Sequence, residues 1–242
     1  SELGKLRGDL VGAVLYVSNW YQVWVGQGYT SVNDFVPLRH LWSLAVEEQF
    51  YIVWPVVMVL LLRRGGTRRL ALTARWLVVA ALVVTVLVAL LYHPGRVSGC
   101  VSTPEAYWQV GGRCIDKTDA IYLSTLTRSS GLLLGAAFAM VWRPRAIMRG
   151  PLRNRGRVLD LAALAGVAIL AVQMWFVHVT TPEGADAWLF RGGFLITAVA
   201  TLLMIAGVTH RFTLTSRVFA MRPLLWVGTR SYGLYLFHWP IY

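Results

Sequence analysis

Long apolar runs alternate with short polar connections along the chain, and the runs set its organisation. At 1.5 Å per helical residue, a bilayer core of roughly 30 Å is crossed by about 20 residues. The runs at or near that length are residues 10–25, 41–62, 76–92, 123–142, 158–178, 188–208 and 224–242. The pattern predicts an all-α fold, a polytopic transmembrane helical bundle of about seven spans, as one domain over residues 1–242. Within the second run, positions 40, 43, 47, 51 and 54 recur at helical spacing and read His, Ser, Glu, Tyr and Trp, a stripe on one face. Glu48 lies about 100° round from that stripe, among Leu41, Leu44 and Ile52. Each carboxylate at that depth costs roughly 2.5–3.5 kcal/mol on insertion scales, so both are expected to meet partners or a wet cavity.

Composition agrees. Of the 242 residues, 57% are hydrophobic and 14% charged, with mean hydropathy +0.57. A soluble domain carries about 25% charge. The net charge of +12 invites a nucleic-acid reading, but its distribution excludes it. The basic residues gather in short connections: Lys5 and Arg7, then Arg63, Arg64, Arg68, Arg69 and Arg75, then Arg143 to Arg157, then Arg211, Arg217 and Arg222. These fall on one side of the alternating spans, which the positive-inside rule makes the cytoplasmic side of a plasma (inner) membrane. Cys100 and Cys114 then lie in an extracytoplasmic loop, where disulfides persist. A bridge between them closes about 15 residues and contributes roughly 3 kcal/mol in the chain-entropy model; two free thiols are the alternative. Too few His or Cys residues neighbour them for a metal site. No signal peptide is visible, and the chain reads as a segment of something longer.

Depth brings three ionisable groups together. Glu47, Arg128 and His238 each fall about 10 Å below the outer end of their helix. A carboxylate, a guanidinium and an imidazole there are the parts of an acid–base or anion-binding site. Ser231, Tyr235, His238 and Tyr242 share one face of the last helix. Bland readings stand beside these. Glu48 and Arg128 could form a buried structural pair, His238 could be an interfacial histidine, and Arg230 could meet a phosphate or snorkel.

Two long stretches carry a resemblance. His40-Leu-Trp-Ser-Leu-Ala-Val-Glu-Glu-Gln-Phe-Tyr-Ile-Val-Trp-Pro55 resembles the most recognisable motif of the acyltransferase-3 family of membrane acyltransferases, and Val227-Gly-Thr-Arg-Ser-Tyr-Gly-Leu-Tyr-Leu-Phe-His-Trp-Pro240 resembles its late segment. Thr127-Arg128 followed by Gly131-Leu-Leu-Leu-Gly135 is a weaker match to its arginine-bearing span. The resemblance covers essentially the whole chain, as a middle-to-late portion of the family's membrane domain. It implies an enzyme that moves an acyl group, commonly acetyl, from a cytoplasmic acyl-CoA-type donor to a hydroxyl of an extracytoplasmic glycan or glycolipid. Acetyl-CoA is then a co-substrate, with no bound cofactor. The family's earlier histidine-bearing helix and the basic motif after it match nothing here, so the domain is expected to be incomplete at its N-terminal end and inactive alone. The motifs also resemble members that continue into an SGNH-type domain.

Acyl transfer to a hydroxyl needs a base for the acceptor and a positive or hydrogen-bonding group for the oxyanion. Glu47, Glu48, Arg128 and His238 are the catalytic candidates, and His40, Ser43, Tyr51, Tyr235 and Arg230 the substrate-binding ones. Tyr51 or Tyr235 could also relay the acyl group. An ion-coupled transporter or flippase of an envelope precursor is the alternative, because buried charges also mark ion pathways. Inverted repeats or broken helices in corresponding halves would favour it, and neither is visible.

Overall fold

Runs of Val, Ala and Leu with few breakers fold as helices, because only intrasegment hydrogen bonds satisfy the backbone in lipid. The computed structural model describes residues 2–29, 36–65, 69–95, 97–147, 149–179 and 184–241. In chain order the helices are α1 (Glu2–Val14), α2 (Ser18–Val25), α3 (Leu41–Gly65), α4 (Leu70–Leu91), α5 (Lys117–Leu123), α6 (Thr125–Val141), α7 (Pro144–Ile147), α8 (Gly156–Phe176), α9 (Phe194–Val208), α10 (Leu214–Phe219) and α11 (Arg222–Ile241). A π-helical turn, Leu189–Gly193, leads into α9. Among the described residues, four segments are long and apolar enough to cross a membrane: Leu41–Leu61, Leu70–Leu91, Gly156–Phe176 and Leu189–Val208.

Two expectations need correction. The run at 10–25 is two helices, not one. Tyr16 takes a positive φ of 54° between them, and Ser18, Asn19 and Gln22 on α2 are buried inside the bundle rather than set against lipid. The fold is also not purely α. Strands β1 (Tyr107–Val110) and β2 (Arg113–Asp116) pair antiparallel, with Val110 opposite Arg113. Gly111 and Gly112 make the two-residue turn at φ 57° and 75°, a conformation that side chains with a Cβ resist. Cys114 of β2 is bonded to Cys100, with Cα atoms 6.0 Å apart. Asp116 then caps α5, accepting from the Thr118 and Asp119 amides.

The helices pack as α4 on α6 and α8 on α9. Small residues make the second contact close: a Cβ on Gly166 would overlap the Ala200 carbonyl, and one on Gly207 would overlap Ala163. Apolar side chains elsewhere point outward, as lipid contact allows, so the buried clusters are small. One joins Val88, Tyr92, Ile121 and Phe190; another joins Trp42, Val46 and Leu123. At one end of the bundle, Trp142 donates to Thr209 Oγ1 at 2.9 Å and His210 meets the Leu152 carbonyl at 3.2 Å. The arginine-bearing connections 143–157 and 209–222 therefore lie together. At the other end, the Tyr92 hydroxyl donates to the Ala185 carbonyl and the Tyr29 amide to Asp119.

Candidate active site

The turn before α3 and one turn of α11 build a compact polar cluster. His40, 4% exposed, lies just before α3. Its carbonyl accepts from the Tyr235 hydroxyl at 2.6 Å and from Ser43 Oγ at 3.3 Å. Ser43 Oγ and the Tyr235 oxygen are themselves 2.5 Å apart. The two hydroxyls and the carbonyl thus form one small triangle of hydrogen-bonding oxygens. The His40 ring meets the Tyr235 and His238 rings edge-on, at centroid distances of 5.5 and 5.4 Å.

A carbonyl of α11 orients the His238 imidazole. His238 Nδ1 lies 2.6 Å from the Tyr235 carbonyl, and a carbonyl only accepts, so Nδ1 carries the proton. The Leu236 carbonyl faces the buried His40 ring. Burial holds the His40 imidazole below its usual pKa; the carbonyl opposes this and the neighbouring His238 adds to it.

The other predicted residues distribute around this cluster. Glu47 is two turns further along α3, within electrostatic reach of the Tyr235 phenol. Glu47 is exposed and Glu48 half-buried; among the described residues neither has a hydrogen bond or an ion pair. His238 is level with His40, not with Glu47. Tyr51 is 58% exposed and does not join. Trp54 packs with the Ala74, Ala137 and Met140 cluster. Arg230 stays on its own helix, 4.5 Å over Trp226 and 3.5 Å from that residue's carbonyl. Tyr242 lies outside the described residues. No group of three His, Cys, Asp or Glu side chains converges among the described residues.

Arg128 sits in an aromatic box. Its guanidinium carbon is 5.2 Å from the Trp42 ring centroid, 4.6 Å from Tyr122 and 4.4 Å from Phe194. No carboxylate, Glu48 included, is paired with it among the described residues. Ring faces hold a cation through their quadrupoles and leave its N–H edges able to bind an anion.

The model of the acyltransferase-3 family, described as an acyltransferase domain, matches residues 10–242. The chain belongs to that family. It is 33% identical over 239 residues to the O-acetyltransferase OatA of Staphylococcus aureus (strain NCTC 8325 / PS 47), covering 98% of this chain and 35% of that protein. It is likewise 33% identical over 240 residues to the peptidoglycan O-acetyltransferase OatA of Listeria monocytogenes serovar 1/2a, covering 99% of this chain and 34% of the relative. The chain thus spans about a third of the length of these relatives. No solved structure matches it at a significant level.

Within this acyltransferase-3 domain, the structure also picks out residues that sequence reasoning missed. Gln49, between Glu48 and Phe50, donates to the Tyr16 carbonyl at 2.7 Å and to Asn19 Oδ1 at 3.0 Å. It accepts from Thr125 Oγ1 at 2.5 Å and from the Trp20 indole at 3.3 Å. Asn19, fully buried, completes the knot by donating to Thr125 and to the Leu123 carbonyl. Gln49 thereby joins α2, α3 and α6 beside the candidate site. A second such tie is Gln173, which donates to the Gly193 carbonyl at the π-helical turn and accepts from Thr197. That turn sets Phe190 and Phe194 on the aromatic box. Polar residues in apolar runs were the signal in each case.

Proposed function

We propose that this domain belongs to a transmembrane O-acyltransferase that moves an acetyl group from a cytoplasmic acyl-CoA to a hydroxyl of the cell-envelope glycan. Peptidoglycan is the acceptor class named for the Listeria relative. The observation that carries the reading is the His40–Tyr235–His238 cluster, formed where the two family stretches meet. In this reading the six runs from 41–62 to 224–242 cross the plasma membrane. The arginine-rich connections are cytoplasmic, and the cysteine hairpin and the cluster lie at the extracytoplasmic end. An SGNH-type domain is a further partner of the whole protein.

The chemistry follows from proton bookkeeping. A hydroxyl oxygen attacks the carbonyl carbon of the thioester, and its proton passes to an imidazole of the cluster. The oxyanion so formed needs a preorganised positive or hydrogen-bonding partner, which is the role given to Arg128. Collapse re-forms the carbonyl and breaks the carbon–sulfur bond, and the thiolate takes the proton back. Ser43 and Tyr235 orient the acceptor, Glu47 holds the protonated form of the cluster, and Glu48 tunes it. Tyr51 and Arg230 lie outside the cluster and are assigned to the approach of the substrates.

The test uses sealed membranes carrying the full protein, with labelled acetyl-CoA on the cytoplasmic side and envelope glycan on the other. Label should reach the glycan with the wild type and fall at least tenfold with His238→Ala or Glu47→Gln. Undiminished transfer by both variants, in correctly folded protein, would defeat the site assignment. Absence of label with any acyl-CoA would favour transport.

A further inference from the structure

Away from the candidate site, the arginine-rich end carries a groove of about 500 Å³ between α8 and α10. Its walls are Leu161, Leu164 and Val167 on α8 and Leu214, Val218 and Phe219 on α10, with Arg157 at its mouth. Leu161 and Leu164 are 67% and 65% exposed, so the groove opens sideways from the bundle rather than into it. Its other wall is built, not incidental. The Asp160 carboxylate accepts from the Leu214 amide at 2.9 Å, the Thr215 amide at 2.8 Å and Thr215 Oγ1 at 2.6 Å. Thr213, fully buried, caps α10 by accepting from Ser216 N. These bonds hold a six-residue amphipathic helix against the first turns of α8.

Charge selects the occupant. The Asp160 carboxylate keeps its charge but is held on α10 by three hydrogen bonds, and the arginines around it outnumber it. Arg153, Arg155, Arg157, Arg211 and Arg217 are exposed, with no ion pair among the described residues. An apolar channel that opens toward lipid and ends at an excess of guanidinium groups over carboxylate matches a molecule with an apolar tail and an anionic head. A soluble anion would use the arginines and leave the apolar walls in contact with nothing that needs them.

We propose that the α8–α10 groove is a binding site for an anionic glycerophospholipid, its phosphate on Arg157 and one acyl chain along Leu161, Leu164, Val218 and Phe219. The site is separate from the acyl-transfer cluster at the other end of the bundle. Its function would be to fix α10, and with it the start of α11, relative to α8.

Native mass spectrometry of the full protein in mild detergent tests this, with phosphatidylglycerol and phosphatidylcholine in competition. Phosphatidylglycerol should be retained preferentially, and Arg157→Gln should reduce that preference roughly fivefold, the effect of one arginine near a charged headgroup. Leu161→Asn should weaken retention of both lipids, whereas Leu87→Asn on α4, outside the groove, should weaken neither. Equal retention of the two lipids by the wild type would overturn the proposal without any variant. So would displacement of phosphatidylglycerol by coenzyme A or inorganic phosphate at low concentration, which would reassign the arginines to a soluble anion.

Discussion

Tyr235 places its hydroxyl 2.5 Å from Ser43 Oγ, joining residues 192 apart in the chain through side chains alone. The same hydroxyl is fixed by the His40 carbonyl, so one phenol connects the start of α3 to the late turns of α11. Tyr235→Phe keeps the ring and removes that link. Acetyl transfer should fall roughly tenfold, about the worth of one hydrogen bond to a preorganised group, with unchanged abundance in the membrane. Ser43→Ala should give a smaller loss in the same direction. Wild-type turnover by Tyr235→Phe would remove the pair from the mechanism.

His40 should make the protein acid-sensitive. Its folded-state pKa is depressed by burial, so between the folded and unfolded pKa values the unfolded state binds more protons. Stability is then complete above the ordinary histidine value of about 6.5 and declines as pH falls through the folded value. Melting temperature in detergent, followed from pH 7.5 to pH 5, should drop, and His40→Gln should flatten the lower part of that curve. A parallel curve for the variant would assign the acid effect to another group.

Gln49→Leu is isosteric enough to fit but leaves the Asn19 amide and the Thr125 hydroxyl short of partners in an apolar setting. The cost should be about 1–3 kcal/mol, visible as earlier unfolding in mixed micelles. Thr125→Val should cost less, and the double variant less than the sum, because both remove the same bond. Additive losses would show that the knot does not act as a unit.

Reducing Cys100–Cys114 should destabilise the hairpin by roughly 3 kcal/mol in the chain-entropy model for a loop of this size. The same bond reports topology. A membrane-impermeant reductant added outside intact cells should be enough to expose both thiols to an impermeant maleimide. Labelling only after permeabilisation would invert the proposed sidedness.

Much of this was legible from spacing. His40 and Ser43, and Tyr235 and His238, fall at helical intervals, so each pair could be placed on one face without knowing its partner. The partners themselves were not legible. Arg128 was expected beside Glu47 and His238 by depth, whereas its box comes from α3, α5 and the kinked start of α9, three segments that no local period relates. Gln49 read as one polar residue in an apolar run, because hydrogen bonds to Tyr16, Asn19 and Thr125 leave no trace in its neighbours. The hairpin did leave one: Gly111-Gly112 between short alternating stretches is a two-residue turn signal, passed over in a stretch that read as one extracytoplasmic loop. The break at Tyr16 left less, since α1 and α2 together have the length and hydrophobicity of one span.

The knot at Gln49 also bears on how the chain is made. α3 is synthesised with Gln49, Glu47 and Glu48 already in it, yet Thr125 follows Gln49 by 76 residues and Tyr235 follows Ser43 by 192. At about 5–20 residues per second, α3 waits on the order of ten to forty seconds for its last partner. During that interval its polar face must stay beside water, the insertion machinery or α2. The order of the helices in the gene is therefore part of what allows so polar a segment to enter the membrane.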